Sequence, residues 1–292
     1  MRIVIVGSGA IGRLFGSFLV RGGNEITLIE IDHNTLGALQ TKGIGLIDRD
    51  SEHPEEVQLF PVNAFSSAKS LTHADLVLLL VKSQATQVAV QDVAHLISDS
   101  CPLLCIQTGL GNFETAKNIV PEKNILLGIT FMSGTALSDG RVKKGGFAKT
   151  YIGEKNGAIT PRLEAIDKIF NQCGIDTQMV KRIFGRLWCK VIIYAAINPV
   201  SAILQVPNGS LTSKAESISL MKRLLDEGRA VADAKGVDLV CDDLYELLEE
   251  VCSTSSNNLS SMLQDVLNEV ATEIDAQNGE ICRYAEEDEI KV

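Results

Sequence analysis

A glycine-rich turn near the amino terminus has the residue spacing of a phosphate-binding loop. It matches the pattern GxGxxG, follows a β-branched stretch over residues 3–6 and precedes a helical pattern, which is the setting in which this motif binds a dinucleotide. Glycine permits the tight turn, a close approach of the backbone to a pyrophosphate, and close packing of helix on strand. We expect the whole run to contact the cofactor: Gly7, Ser8, Gly9, Ala10, Ile11 and Gly12.

Two acidic residues bear on which dinucleotide binds. The second predicted strand covers residues 25–29, Glu30 follows it directly, and Asp32 lies two positions further on. A carboxylate at this place accepts a hydrogen bond from a free ribose 2′-hydroxyl and repels a 2′-phosphate. The pattern therefore favours NAD(H). The alternative is that Glu30 points elsewhere and Asp32 only caps the next helix.

Further candidate cofactor residues follow the next two predicted strands. Lys82 comes directly after the apolar strand at 75–81, and Thr108 and Gly109 come directly after the strand at 103–107. The carboxyl ends of parallel strands form the edge where open α/β sheets bind ligands, so these three residues are predicted to face the cofactor. The alternative is that they are ordinary loop residues.

A lysine with the potential for acid–base chemistry lies in an apolar helical segment. Lys190 and Asn198 are eight residues apart, a little over two helical turns, so they share one face of the helix. A lone lysine there either extends its charged end to the solvent or is partly buried. Burial would lower its pKa and make it a usable proton donor.

The elements that must position these residues differ between the two halves of the chain. Up to about residue 180, strands alternate with helices as in a doubly wound parallel α/β sheet, and a late antiparallel pair is expected at 140–153, with Val142 and Tyr151. After that the periodicity is helical, with helices expected at 183–197 and 258–278 among others. We predict a Rossmann domain over residues 1–180 and an all-helical domain for substrate binding and dimerisation over residues 181–292.

Composition disfavours several other classes of protein. The chain has 292 residues and a formal net charge of −10, which argues against a nucleic-acid or anionic-membrane surface. The apolar runs at 76–81 and 191–197 are too short to span a bilayer. The seven cysteines and four histidines have no metal-ligand spacing, so we expect no metal site. We expect the cysteines to be buried free thiols in a reducing cytosol, and we expect the protein to be cytoplasmic.

Several motifs taken together resemble the ketopantoate reductase (2-dehydropantoate 2-reductase) family. The similarity spans nearly the whole chain, and its late motifs are more specific than GxGxxG. They comprise the glycine motif, Lys82, the run LWCK…INP ending at Pro199, Pro207-Asn208-Gly209, SSMLQD at 260–265 and TEID..NG at 272–279.

The resemblance implies an activity and a set of residue roles. The family reduces ketopantoate to pantoate with NADPH, on the route to pantothenate and coenzyme A. By position, Lys190 corresponds to the catalytic lysine and Glu273 to the glutamate that orients it and holds the substrate. Asn198, Asn208 and Ser261 correspond to substrate-binding positions, and Lys82 to a lysine that contacts the cofactor.

Four positions depart from the family pattern and leave alternatives open. Thr108 replaces a usual asparagine near the nicotinamide. Tyr194, one turn after Lys190, also replaces an asparagine and is expected to reshape the substrate site. Glu30 and Asp32 favour NAD(H), whereas the resemblance implies NADP(H). The leading hypothesis is ketopantoate reduction; the alternatives are another small 2-oxo acid and a non-catalytic dinucleotide sensor.

Overall fold

The structure is a computed structural model that describes residues 1–48, 56–146, 148–241 and 243–292. Its contacts divide the chain into two compact units. The first consists of residues 1–107 and 112–183, and the second of residues 108–111 and 184–292. The predicted fold class is confirmed, since a mostly parallel α/β part precedes a helical part.

The described part of the first unit alternates strands and helices. The strands are β1 (Arg2–Val6), β2 (Glu25–Ile29), β3 (Ile44–Ile47), β4 (Val57–Phe60), β5 (Asn63–Phe65), β6 (Leu76–Leu79), β7 (Leu103–Cys105), β8 (Ile125–Thr130), β9 (Gly134–Ala136), β10 (Arg141–Lys144), β11 (Thr150–Gly153) and β12 (Thr177–Met179). The α-helices are α1 (Ala10–Arg21), α2 (His33–Lys42), α3 (Thr86–Val93), α4 (Asn112–Lys117) and α5 (Pro161–Gln172).

The main sheet has the strand order β12-β11-β8-β7-β6-β1-β2-β5. Neighbours from β8 to β5 are parallel, whereas β11 runs antiparallel to β8. The chain places β2 on one side of β1 and β6 on the other, so the strand order reverses beside β1. Open α/β sheets bind their ligands at the carboxyl ends of the strands at such a reversal, and the glycine motif begins there.

A smaller sheet with the order β4-β3-β10-β9 packs on the opposite side of α1. The helix therefore lies between β1 and β2 of the main sheet and β3, β9 and β10 of the smaller one, which explains why residues 12–19 are all buried. The prediction that Val142 and Tyr151 belong to one antiparallel pair is wrong. Val142 pairs with β9 and Tyr151 with β8, in different sheets, because strand partners are chosen by tertiary contacts.

The described part of the second unit is mainly helical, and its first helix is long and apolar. Its α-helices are α6 (Ile183–Leu204), α7 (Ala215–Ala234), α8 (Leu244–Thr254), α9 (Ser261–Leu267) and α10 (Glu280–Glu287). By length and composition alone, α6 passes the criteria for a membrane span, with a mean hydropathy of 1.7 in its most apolar stretch. Since 72% of that stretch is buried inside the protein, α6 has the environment of a core helix.

The prediction of one helix over residues 258–278 is wrong. Helix α9 ends at Leu267, and Glu269 has a φ of +56°, a conformation that interrupts a right-handed helix. A short π-helix at Asp275–Gly279 then leads directly into α10. Such π-helical turns are rare and occur frequently at functional sites.

Candidate functional site

The glycine loop has the geometry that the motif predicts. Gly7 has a φ of +99°, and a Cβ there would lie 2.7 Å from the backbone of Leu80 and Val81. A Cβ on Gly12 would collide with the carbonyl oxygen of Gly7. The space beside the Gly9 α-carbon is open, so the described chain leaves room for a ligand to approach the backbone at the start of α1.

Glu30 is held against the glycine loop. The hydroxyl of Ser8 donates to one of its carboxylate oxygens, and the backbone N–H of Asp32 donates to the other over 2.8 Å. Asp32 accepts from the backbone N–H of Thr35 at 2.8 Å and is the N-cap of α2. The capping alternative therefore holds for Asp32. Glu30 lies beside the glycine loop, and its contact with a ribose stays a prediction.

A buried polar cluster, which the sequence analysis missed, fixes the loop that carries Lys82. The amide nitrogen of Gln107 donates to the carbonyl of Val81 at 2.8 Å and to the hydroxyl of Thr86 at 2.7 Å. Thr86 in turn donates to the side-chain oxygen of Asn112 at 2.8 Å. These bonds join the chain after β6 to the chain after β7. Lys82 itself is exposed and starts a short 3-10 turn.

The segment at Thr108–Gly111 belongs to the second unit. Gly109 and Gly111 have φ values of +133° and +85°, which only glycine adopts readily. The backbone N–H of Leu110 donates to the carbonyl of Ala276 at 2.9 Å, so this segment is attached to the π-helix. Thr108 is half-buried.

Lys190 is buried inside the second unit. Only 6% of its surface is exposed, which is inconsistent with a side chain extended into solvent. Burial disfavours the ammonium form and lowers the pKa of Lys190, whereas the negative charge of Glu273 raises it. Burial has the larger effect, and the resulting pKa is about 8. The partly buried interpretation is therefore the one that the structure supports. An amine with this pKa exchanges protons readily near neutral pH.

The π-helix presents two neighbouring amides to α6. Gln277, 1% exposed, accepts a hydrogen bond over 2.9 Å from the side-chain nitrogen of Asn198, which is 4% exposed. The side-chain nitrogen of Asn278 donates to the carbonyl of Ala195 at 2.9 Å. The TEID..NG segment is thus held along the face of α6 that carries Lys190 and Asn198. Gln277 gave no signal in the sequence, because its partner is 79 residues away.

The remaining predicted substrate residues, Asn208 and Ser261, also belong to the second unit. Asn208 is buried and donates to the hydroxyl of Ser255 at 2.9 Å, and among the described residues its amide oxygen has no hydrogen-bond partner. Ser261 is exposed and is the first residue of α9, whereas the neighbouring Ser260 is buried and caps that helix through the N–H of Leu263. Their roles toward a substrate stay predictions.

Comparison with known proteins decides the family. A family model described as ketopantoate reductase PanE/ApbA matches residues 3–157, and the model of the C-terminal domain of the same family matches residues 182–292. The chain belongs to the ketopantoate reductase family. The resemblance seen in the sequence motifs is thereby confirmed.

Relatives of the ketopantoate reductase family match over nearly the whole chain. A 2-dehydropantoate 2-reductase from Pyrococcus horikoshii is 30% identical over 287 residues, covering 98% of this chain and 91% of that protein. The crystal structure of a PanE/ApbA family ketopantoate reductase from Ralstonia eutropha JMP134 has a TM-score of 0.89 and 28% identity, covering 100% and 94%. A ternary structure of D-mandelate dehydrogenase with NADH and anilino(oxo)acetate has a TM-score of 0.90, covers 100% and 93%, and at 23% identity shares the fold.

Membership of the ketopantoate reductase family makes this chain an oxidoreductase with an NAD(P)-binding Rossmann-type fold. The residues present fit a dinucleotide, because the open space at Gly9 lies at the N-terminus of α1, where backbone N–H groups are available to a pyrophosphate. Gly7, Ser8 and Gly9 directly precede α1, Ala10, Ile11 and Gly12 begin it, and Glu30 accepts a hydrogen bond from Ser8.

One expectation about the cysteines is wrong. Cys189 and Cys241 form a disulfide in the structure, whereas free thiols were expected throughout. The bond joins α6, at the residue before Lys190, to the segment between α7 and α8. The pairing was hidden from the sequence because its two members are 52 residues apart. Cys101, Cys105, Cys173 and Cys252 are buried free thiols, as predicted, whereas Cys282 is free but exposed.

Proposed function

We propose that this chain reduces the keto group of a small 2-oxo acid, with ketopantoate as the first candidate substrate and pantoate as the product. The observation that carries the proposal is Lys190. It is a lysine buried in an apolar helix, with a pKa of about 8 and with Glu273 close enough to influence its charge. An ammonium group of this kind is suited to donate a proton at neutral pH.

The chemistry assigns a task to each side chain. A reduced nicotinamide supplies the hydride when bound. Negative charge then develops on the keto oxygen, and the ammonium of Lys190 stabilises it and donates a proton to it. Glu273 favours the charged form of Lys190 before the proton leaves. Asn198, Asn208 and Ser261 supply polar groups for the carboxylate and remaining oxygens of the substrate.

Glu30 supports a preference for NADH over NADPH. Its two carboxylate oxygens are already oriented by Ser8 and by the N–H of Asp32, so the negative charge is fixed beside the glycine loop. A 2′-phosphate placed there would meet that charge, whereas a 2′-hydroxyl would donate a hydrogen bond to it. We expect kcat/KM for NADH to exceed that for NADPH by at least roughly tenfold, or about 1.4 kcal/mol.

Steady-state kinetics with purified protein test both statements. The protein should oxidise NADH when ketopantoate is added, and Glu30→Gln should reduce the preference for NADH, because it removes the charge and keeps the shape. Asp32→Asn is the matched control, since Asp32 is exposed and caps α2. Cofactor binding without turnover of any 2-oxo acid would instead establish a dinucleotide sensor. A wild-type preference for NADPH would refute the role given to Glu30.

Tyr194 favours a second candidate, the reduction of a different 2-oxo acid. Its ring lies one turn beyond Lys190 and takes up space on the same face of α6. Thr108 supports the same candidate, because it offers a hydroxyl in place of an amide. A panel of 2-oxo acids at equal concentration, ranked by kcat/KM, separates the candidates. Ketopantoate should rank first if the leading proposal is correct.

Several further assignments belong to the same proposal. Residues 181–292 are assigned to substrate binding and to the interface of a homodimer. Lys82, Thr108 and Gly109 are assigned to cofactor binding. We propose that the protein acts in the cytoplasm, where it supplies pantoate for pantothenate. Light scattering of the purified protein, with and without cofactor, measures the oligomeric state.

A further inference from the structure

Arg13 is a buried cation directly behind the glycine loop. It lies in the first turn of α1, and only 3% of its surface is exposed because the helix is enclosed between the two sheets. Its burial lowers its pKa, and the negative charges of Glu30, Asp139 and Asp32 oppose that effect. A buried guanidinium needs several hydrogen-bond acceptors, and their identity indicates what it holds in place.

The hydrogen bonds of Arg13 join three separate backbone positions. Its Nε donates to the carbonyl oxygen of Ser8 at 2.6 Å. Its Nη1 donates to the carbonyl oxygens of Leu137 at 2.5 Å and Arg141 at 2.9 Å. Leu137 directly follows β9 and Arg141 is the first residue of β10, so one side chain connects the glycine loop to the smaller sheet. We propose that Arg13 is a positioning residue that orients the glycine loop for the pyrophosphate of the cofactor.

The bond to Ser8 has a directional consequence. The Ser8–Gly9 peptide bond is trans, so its carbonyl and its N–H point in opposite directions. Because Arg13 holds the Ser8 carbonyl on the interior side, the N–H of Gly9 is turned to the opposite side. The space beside Gly9 is open, and Gly9 is exposed. Arg13 thus aims a backbone donor towards the place that a pyrophosphate requires.

The shape of the guanidinium matters as much as its charge. Its planar fork donates from Nε and Nη1 in different directions at once, which a single lysine ammonium on a flexible stem cannot reproduce. The Ser8 hydroxyl donates to Glu30, so the hydroxyl and the backbone carbonyl of Ser8 are both held by hydrogen bonds. Without the Arg13 side chain the carbonyl of Ser8 loses its charged donor, and the orientation of the Ser8–Gly9 peptide is less constrained.

The test measures cofactor affinity directly, without turnover. Arg13→Lys, which keeps the charge and loses the fork, should raise the Kd for NADH about tenfold in a fluorescence titration. ADP-ribose, which retains the pyrophosphate, should lose affinity by the same factor, whereas adenosine should bind within about twofold of its wild-type affinity. The matched control is Arg21→Met, which removes an exposed charge at the other end of α1 and should leave all three affinities unchanged.

The outcomes distinguish an effect on the orientation of the glycine loop from a general loss of structure. A parallel loss of affinity for adenosine, or an NADH Kd within about twofold of wild type in folded Arg13→Lys, would overturn the proposal. With saturating NADH, kcat and the KM for the 2-oxo acid should stay close to wild type. The inference rests on dinucleotide binding, and it survives if the proposed substrate is wrong, because binding is measured without one. Thermal melting shows whether Arg13→Met is folded. The folded variant should raise the Kd for NADH at least as much as Arg13→Lys does.

Discussion

The side-chain nitrogen of Lys190 lies 5.1 Å from the centre of the Tyr194 ring, one helical turn further along α6. The face of an aromatic ring attracts a cation, so this contact favours the ammonium form, whereas burial disfavours it. Burial also raises the pKa of Tyr194 to about 12, which keeps its hydroxyl protonated throughout the neutral range. Lys190 is therefore the member of this pair that titrates near neutral pH.

The pH dependence of both reaction directions should follow Lys190. With its pKa near 8, the protonated fraction falls as the pH rises through 8, so the rate of keto-acid reduction should fall there. Oxidation of the 2-hydroxy acid needs the neutral amine and should rise over the same range. Glu273→Gln removes a charge that raises the pKa of Lys190, so both midpoints should move to lower pH. Unchanged midpoints in pH–rate profiles of the variant would contradict the coupling.

Lys190→Met should abolish most activity and yet stabilise the fold at neutral pH. The folded pKa lies below the ordinary value of 10.5, so burial of the charge destabilises the protein fully below pH 8. That destabilisation disappears as the pH rises towards 10.5. Urea unfolding should give a gain of up to about 3 kcal/mol at pH 7 and little at pH 10, while kcat falls by roughly 10²- to 10⁴-fold.

A second lysine–tyrosine pair provides the control for that experiment. Lys222 on α7 lies 3.9 Å from the centre of the Tyr245 ring, but it is exposed. Lys222→Met should change the free energy of unfolding by less than about 0.5 kcal/mol and leave kcat unchanged. Equal stability effects from both lysines would show that burial of Lys190 has no special consequence.

Substitution of Tyr194 should change which 2-oxo acid is preferred. Tyr194→Asn removes the ring and enlarges the space next to Lys190, so kcat/KM for larger 2-oxo acids should rise relative to smaller ones. Tyr194→Phe keeps the ring and removes only the hydroxyl, and it should retain the wild-type ranking. Kinetics with a size-graded series of 2-oxo acids measure the effect. The assignment fails if the two variants rank the series identically.

Loss of the hydrogen bond between Gln277 and Asn198 should weaken substrate binding more than cofactor binding. Gln277→Leu removes the acceptor for a buried amide and should destabilise the protein by about 1–3 kcal/mol. If Asn198 binds the substrate, KM for the 2-oxo acid should rise while KM for NADH stays constant. Gln264→Leu, which removes a side-chain amide that donates to the carbonyl of Leu259 just before α9, is the control. A loss of stability with unchanged KM values would assign Gln277 a structural role alone.

The sequence determined those features whose causes are local in the chain. The glycine loop is fixed by a positive φ at Gly7 and a close approach at Gly12, which are properties of neighbouring residues. The burial of Leu14, Phe15 and Phe18 in α1 follows from their helical spacing. Lys190 and Asn198 share a face of α6 for the same reason. The family motifs, read in order, identified the class of enzyme.

Tertiary structure alone decided the contacts between residues far apart in the chain. Arg13 reaches carbonyls 124 and 128 residues away, and Cys189 meets Cys241 across 52 residues. The separate sheets of Val142 and Tyr151, and the π-helix that brings Gln277 to Asn198, depend on pairings of the same kind. Sequence periodicity shows which face of an element is buried, but not which element covers it. The covering element sets the burial of Lys190, and with it the pKa near 8.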